Sequence, residues 1–173
     1  MKINYVIASW NGPRVYKISK SGFSKYEKVL KTHIKQISNL EHNLTKITLM
    51  KPGSPHINSY YDIDYSDNIQ VISCPNKYQS YGQWLTAIEM FVDEYDYFIL
   101  MEDDYIPNID NFDLKVIQIY EEGTYLCSKV SDFKCLSIRG IVEPVAHCAI
   151  SNGIISSKTI KDLIKQNNFR SCF

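Results

Sequence analysis

Three adjacent acids, Glu102, Asp103 and Asp104, directly follow the apolar run Tyr97-Phe98-Ile99-Leu100-Met101. The run has the length of a strand and is apolar throughout, which suits a strand covered on both faces in a parallel sheet. Carboxylates crowded at the tip of such a strand repel one another and resist losing their water. A hard divalent cation relieves that repulsion, because it takes oxygen ligands. In open α/β sheets, ligands bind outside the carboxyl ends of the strands, so these acids occupy a place where chemistry is commonly done. The bland alternative is a solvated acidic turn that only ends the strand. Pro107, with no N–H to donate, closes the segment in either case.

The elements expected to position these acids alternate along the chain. Residues 3–10 read as a first strand, ended by the turn chemistry of Asn11-Gly12-Pro13. Ser24-Lys25-Tyr26-Glu27 has the form of a capping box, and Tyr26, Val29, Leu30, His33, Ile34, Ile37 and Leu40 fall on one helical face behind it. Residues 46–50 and 69–74 read as strands. Between them lies a long polar, tyrosine-rich stretch carrying Asp62, Asp64 and Asp67, of the kind that often binds. Ser80-Tyr81-Gly82-Gln83 repeats the capping-box form ahead of Trp84, Leu85, Ile88, Phe91, Val92 and Tyr95 at helical spacing. That helix feeds the acid-tipped strand, which makes a crossover unit expected to be right-handed.

Beyond the acids, Asp110 or Asn111 is placed to cap a helix stopped by Gly123. Residues 124–130, 135–138 and 145–150 read as strands. Ser151-Asn152-Gly153 is expected to interrupt the last of them, and Ser157 to cap a closing helix. The predicted fold class is α/β: a single domain over residues 1–173, a layered sandwich with a mainly parallel central sheet flanked by helices.

Composition narrows the function classes. The chain has 173 residues and zero formal net charge, so it lacks the basic footprint of a nucleic-acid binder. No apolar stretch is long enough to span a bilayer. The five cysteines are odd in number and contain no CxxC pair, which favours reduced thiols and a cytoplasmic location over a zinc cluster or a disulfide framework. No GxGxxG follows the first strand, no GxxxxGK[ST] occurs, and no GxSxG elbow is present. These absences disfavour a dinucleotide-binding domain, a P-loop NTPase and the usual serine hydrolase.

In a parallel sheet the carboxyl strand ends share one rim. Ser9 to Asn11, then Asn76 and Lys77, then the three acids would meet there, so a nucleotide could lie across them with its diphosphate near the acids. The helix start at Ser80 would aim free N–H groups at the same rim.

Taken in order, SWNGP, NKYQSYGQW, DYFILMEDDYIP and AISNGIISS resemble the GT-A type glycosyltransferases, the nucleotide-diphospho-sugar transferases, over about residues 3–165. The resemblance implies a GT-A-like fold, a nucleoside-diphosphate sugar donor, a glycan or other hydroxyl acceptor, and Mn2+ or Mg2+ as cofactor. The family's DxD motif corresponds to Glu102-Asp103-Asp104, here an ExD whose first acid is one methylene longer. On that correspondence Asp104 is the main metal ligand, assisted by Glu102, and Asp103 contacts the ribose or the metal's water shell. Ser9, Trp10 and Asn11 contact the nucleoside, and Ser151, Asn152 and Gly153 form a small-residue turn beside the acceptor and the transferred sugar. The carboxylate that would take the acceptor's proton is unassigned, with Glu143 before the turn and Asp162 after it as the candidates. The implied activity is sugar transfer to a hydroxyl. The alternative is a non-catalytic module of the same fold that binds a nucleotide or a carbohydrate.

Overall fold

The computed structural model describes residues 1–9, 22–53, 67–75, 79–136 and 142–166, without the side chains of 22–28, 79 and 128–151. Among these residues the chain forms β1 (Ile3–Ala8), α1 (Gly22–Asn39), β2 (Lys46–Pro52), β3 (Ile69–Cys74), α2 (Gln79–Phe91), β4 (Tyr97–Glu102), α3 (Phe112–Gln118), β5 (Leu126–Leu136), β6 (Val142–Ser156) and α4 (Ser157–Lys165). The strands make one six-stranded sheet in the order β3-β2-β1-β4-β6-β5. β1 to β4 run parallel, β6 runs antiparallel to β4, and β5 runs antiparallel to β6. The mainly parallel α/β sandwich expected from the sequence is the architecture found.

Strand β1 is buried at every position, as a central strand must be when both of its faces are covered. Its alternate side chains enter two cores. Tyr5 and Ile7 pack with Leu30, Ile34 and Ile37 of α1 and Phe112 of α3. Val6 and Ala8 pack on the other face with Trp84, Ala87 and Ile88 of α2 and Ile160 of α4. The sheet therefore lies between two helical layers. A buried polar ladder crosses three strands: Thr48 Oγ1 donates to Asn4 Oδ1 at 2.7 Å and accepts from Gln70 Nε2 at 2.8 Å. A one-residue slip would turn this ladder to the wrong face, so it fixes the register. Among the described residues, no helix is long and apolar enough to cross a membrane.

Several boundaries differ from the sequence-based expectation. α1 and α2 begin at Gly22 and Gln79, ahead of both expected capping boxes, so Ser24 and Ser80 lie inside the first turn. Asn111 is the N-cap of α3 by position, but in a left-handed conformation (φ 54°) and without a side-chain capping bond. Ser156, not Ser157, caps α4, its hydroxyl accepting from the Thr159 N–H. The two short strands expected in residues 124–138 are one continuous β5.

The Ser151-Asn152-Gly153 turn does not exist, since all three residues lie within the long strand β6. Neighbouring strands hold them there. Asn152 pairs with Met101, while Gly153 is flanked by Leu100 on one side and Cys127 on the other. Backbone pairing across the sheet outweighs the local turn preference of small polar residues. Cys127 is disulfide-bonded, against the expectation of reduced thiols throughout.

Candidate active site

The acids form a β-turn at the carboxyl end of β4, closed by the Tyr105 N–H donating to the Glu102 carbonyl at 3.2 Å. The three acids differ in their surroundings. Glu102 is half-buried on the α2 face, where its Oε1 accepts from Ser80 Oγ at 2.6 Å. Its N–H donates to Asn152 Oδ1 on β6 at 3.1 Å. Asp103 is 9 % exposed, and its carbonyl oxygen lies 3.0 Å from His33 Nδ1 on α1. Asp104 is exposed. The turn is thus fastened to α2, to β6 and to α1, with one carboxylate left toward solvent.

The end of β1 is fixed beside it. Gln83 Oε1 accepts from the Ser9 N–H and Gln83 Nε2 donates to the Ser9 carbonyl, both at 2.9 Å. This amide pairs with Ser9 as a neighbouring strand would. Ser9 Oγ donates to the Met50 carbonyl at 2.7 Å, so the hydroxyl expected at the nucleoside is turned toward β2. Below the acids, Trp84 is fully buried, and its indole N–H donates to the Met101 carbonyl at 3.4 Å. Gln83 and Ser80 were legible only as capping residues, and His33 only as part of an apolar helix face. Their partners lie 22 to 74 residues away, which no local pattern reports.

His33 is fully buried. Burial, the largest influence, lowers its pKa to about 4, although the hydrogen bond to Asp103 and the charge on Asp104 both act to raise it. Asn152 is 1 % exposed, and its Nδ2 has no hydrogen-bond partner. Gly153 faces the other way. A Cβ there would come within 2.5 Å of the Tyr125 ring and the Leu126 carbonyl, so the glycine makes room for Tyr125.

Other expected site residues divide by position. Trp10, Asn11, Asn76 and Lys77 lie outside the described residues, as do Asp62 and Asp64. The side chains of Ser151 and Glu143 are likewise outside them. Glu143 stands nine positions before Asn152 on β6, opposite Cys135 of β5, on the order of 30 Å of strand away. Asp162 does not share the rim. It sits on α4, lining an open cleft of about 990 Å³ with Met1, Lys2 and Tyr97, at the amino-terminal ends of β1 and β4. This cleft is at the opposite pole from the acids. Two pairs of its charges are matched, Lys161 with Asp93 at 2.8 Å and Lys165 with Asp162 at 3.7 Å.

The donor set fits a divalent cation only in part. Among the described residues no three His, Cys, Asp or Glu side chains converge as a metal site. The acids thus do not form the three-carboxylate cluster that adjacency suggests. Glu102 and Asp104 remain. One or two carboxylates are what Mg2+ usually takes from protein when substrate phosphates and water complete its octahedron.

No family model matches this chain, and no curated protein matches it. Its fold does match a solved structure. The crystal structure of 4-diphosphocytidyl-2C-methyl-D-erythritol synthase from Anaerococcus prevotii superimposes with a TM-score of 0.62, covering 96 % of this chain and 74 % of that one at 16 % identity. At that identity the likeness shows a shared fold, the GT-A-like layered sandwich.

Proposed function

We propose that the acid turn receives the diphosphate of a nucleoside-diphosphate sugar together with Mn2+ or Mg2+, and that the protein transfers the sugar to an acceptor hydroxyl, on a glycan. The observation that carries this reading is the acid turn itself. It stands at the carboxyl end of the strand next to β1, is tied to three elements, and leaves the Asp104 carboxylate exposed. Preorganisation of this kind is what a charge-stabilising site requires. Asp104 would hold the cation, with Glu102 fixing the inner side. When bound, such a cation supplies positive charge against the leaving diphosphate. Asn152 holds the Glu102 N–H and keeps the turn in register. The whole of residues 1–173 acts as the one donor-binding domain in this reading.

Two further readings rest on specific observations. The protein with the similar fold is named a 4-diphosphocytidyl-2C-methyl-D-erythritol synthase, which favours nucleotidyl transfer as the second reading. The position of Asp162, at the far pole, counts against that residue as the base, which favours a binding module. One assay separates the three. The protein is incubated with MnCl2 and either nucleotide sugars or nucleoside triphosphates plus sugar phosphates. Glycosyl transfer or hydrolysis releases a nucleoside diphosphate, nucleotidyl transfer releases pyrophosphate, and a module releases neither while still binding by calorimetry. The proposal expects nucleoside diphosphate release, lost in Asp104→Asn. Release that is indifferent to Asp104 would overturn it.

A further inference from the structure

Beneath the acid turn runs a chain of three groups from two elements and the turn. Tyr5 of β1 and His33 of α1 are both fully buried. The Tyr5 hydroxyl lies 2.8 Å from His33 Nε2, and His33 Nδ1 lies 3.0 Å from the Asp103 carbonyl oxygen. A carbonyl can only accept, so Nδ1 carries the hydrogen, and bare Nε2 takes its hydrogen bond from the Tyr5 hydroxyl. The carbonyl therefore fixes the tautomer, and the tyrosine hydroxyl satisfies the nitrogen left bare. Tyr5 is itself wedged edge-on against Phe112, with ring centroids 5.6 Å apart, and against His33 at 5.8 Å. Nothing in this chain of groups can swing away without opening the core.

We infer that His33 is a positioning residue for the acid turn: by holding the Asp103 carbonyl inward, it sets the Asp103–Asp104 peptide so that the Asp104 carboxylate faces the ligand. The inference deepens the proposed reading and rests on it. Asp103 and Asp104 are the two central residues of the turn, and rotating the peptide between them is the cheapest way for a β-turn to change type. A change of type would redirect Asp104 while leaving the strand intact. Residues behind a metal ligand that act in this way alter metal affinity by roughly 10- to 100-fold when removed.

The test is calorimetric titration with MnCl2 plus uridine diphosphate or cytidine diphosphate, on the full chain and four variants. Asp104→Asn should weaken binding. If it does not, the metal–diphosphate reading falls, and this inference with it. Given that loss, His33→Leu should weaken binding by about tenfold or more. His33→Asn, whose amide nitrogen stands where Nδ1 does, should restore it to within about threefold. Ile37→Ala, a core truncation on the same helix, should leave affinity unchanged although it lowers stability. If Asp104→Asn weakens binding and His33→Leu does not, or if Ile37→Ala weakens it as much, the positioning role is wrong while the reading of the site stands. Should His33→Leu fail to fold, His33→Gln replaces it, since its amide nitrogen stands where Nε2 does and does not reach the Asp103 carbonyl. Weaker binding in His33→Gln than in His33→Asn supports the role, and the reverse order overturns it.

Discussion

His33 shows how one side chain ties stability to pH. In the unfolded chain the imidazole titrates near 6.5, and in the fold near 4. Between those values the unfolded state binds a proton that the folded state refuses, so stability falls as pH is lowered through that window. The loss from this group is bounded at roughly 3 kcal/mol and is complete a little below pH 4. Urea titrations at pH 7, 5.5 and 4.5 should show it, and the slope should flatten in His33→Asn. Gly153 makes the complementary case, in which the missing side chain matters. An added methyl would strike the Tyr125 ring, so Gly153→Ala should cost about 1–3 kcal/mol by overpacking. A fall in thermal midpoint checks this. A midpoint unchanged from the parent would mean that Tyr125 moves aside freely.

At the scale of elements, the strands that carry the site were legible and its fastenings were not. Tyr97–Glu102 stands where its apolar run placed it, because a strand covered on both faces needs continuous apolar residues; Ile69–Cys74, at the sheet edge, was legible from its β-favouring residues and the proline after it. Ser151-Asn152-Gly153 misled because turn preference is local, whereas β4 and β5 supply partners from 26 to 53 residues away. The same limit hid Gln83. Its place three residues after Ser80 suggested a cap, yet it bridges α2 to the tip of β1. Gln83→Leu would remove both hydrogen bonds to the Ser9 backbone, at about 1–3 kcal/mol for each. Hydrogen exchange at Ser9 should accelerate in that variant. If Ser9 stays as protected as in the parent chain, the clamp is not what holds the strand end.

Across the whole molecule the two poles of the sheet divide the chemistry. The acid turn and the Gln83 clamp stand at the carboxyl pole, and the charge-paired cleft with Asp162 stands at the other. Asp162→Asn should therefore leave diphosphate affinity as it is, measured by the same titration as for Asp104. The central pairing of β1 with β4 joins segments such as Lys2 and Asp96, 94 residues apart. Closing so long a loop before any contact rewards it is slow. Refolding from urea should thus lie on the order of milliseconds to seconds. Diphosphate-binding competence should emerge with the final cooperative phase, since no early fragment can bring the tips of both strands together.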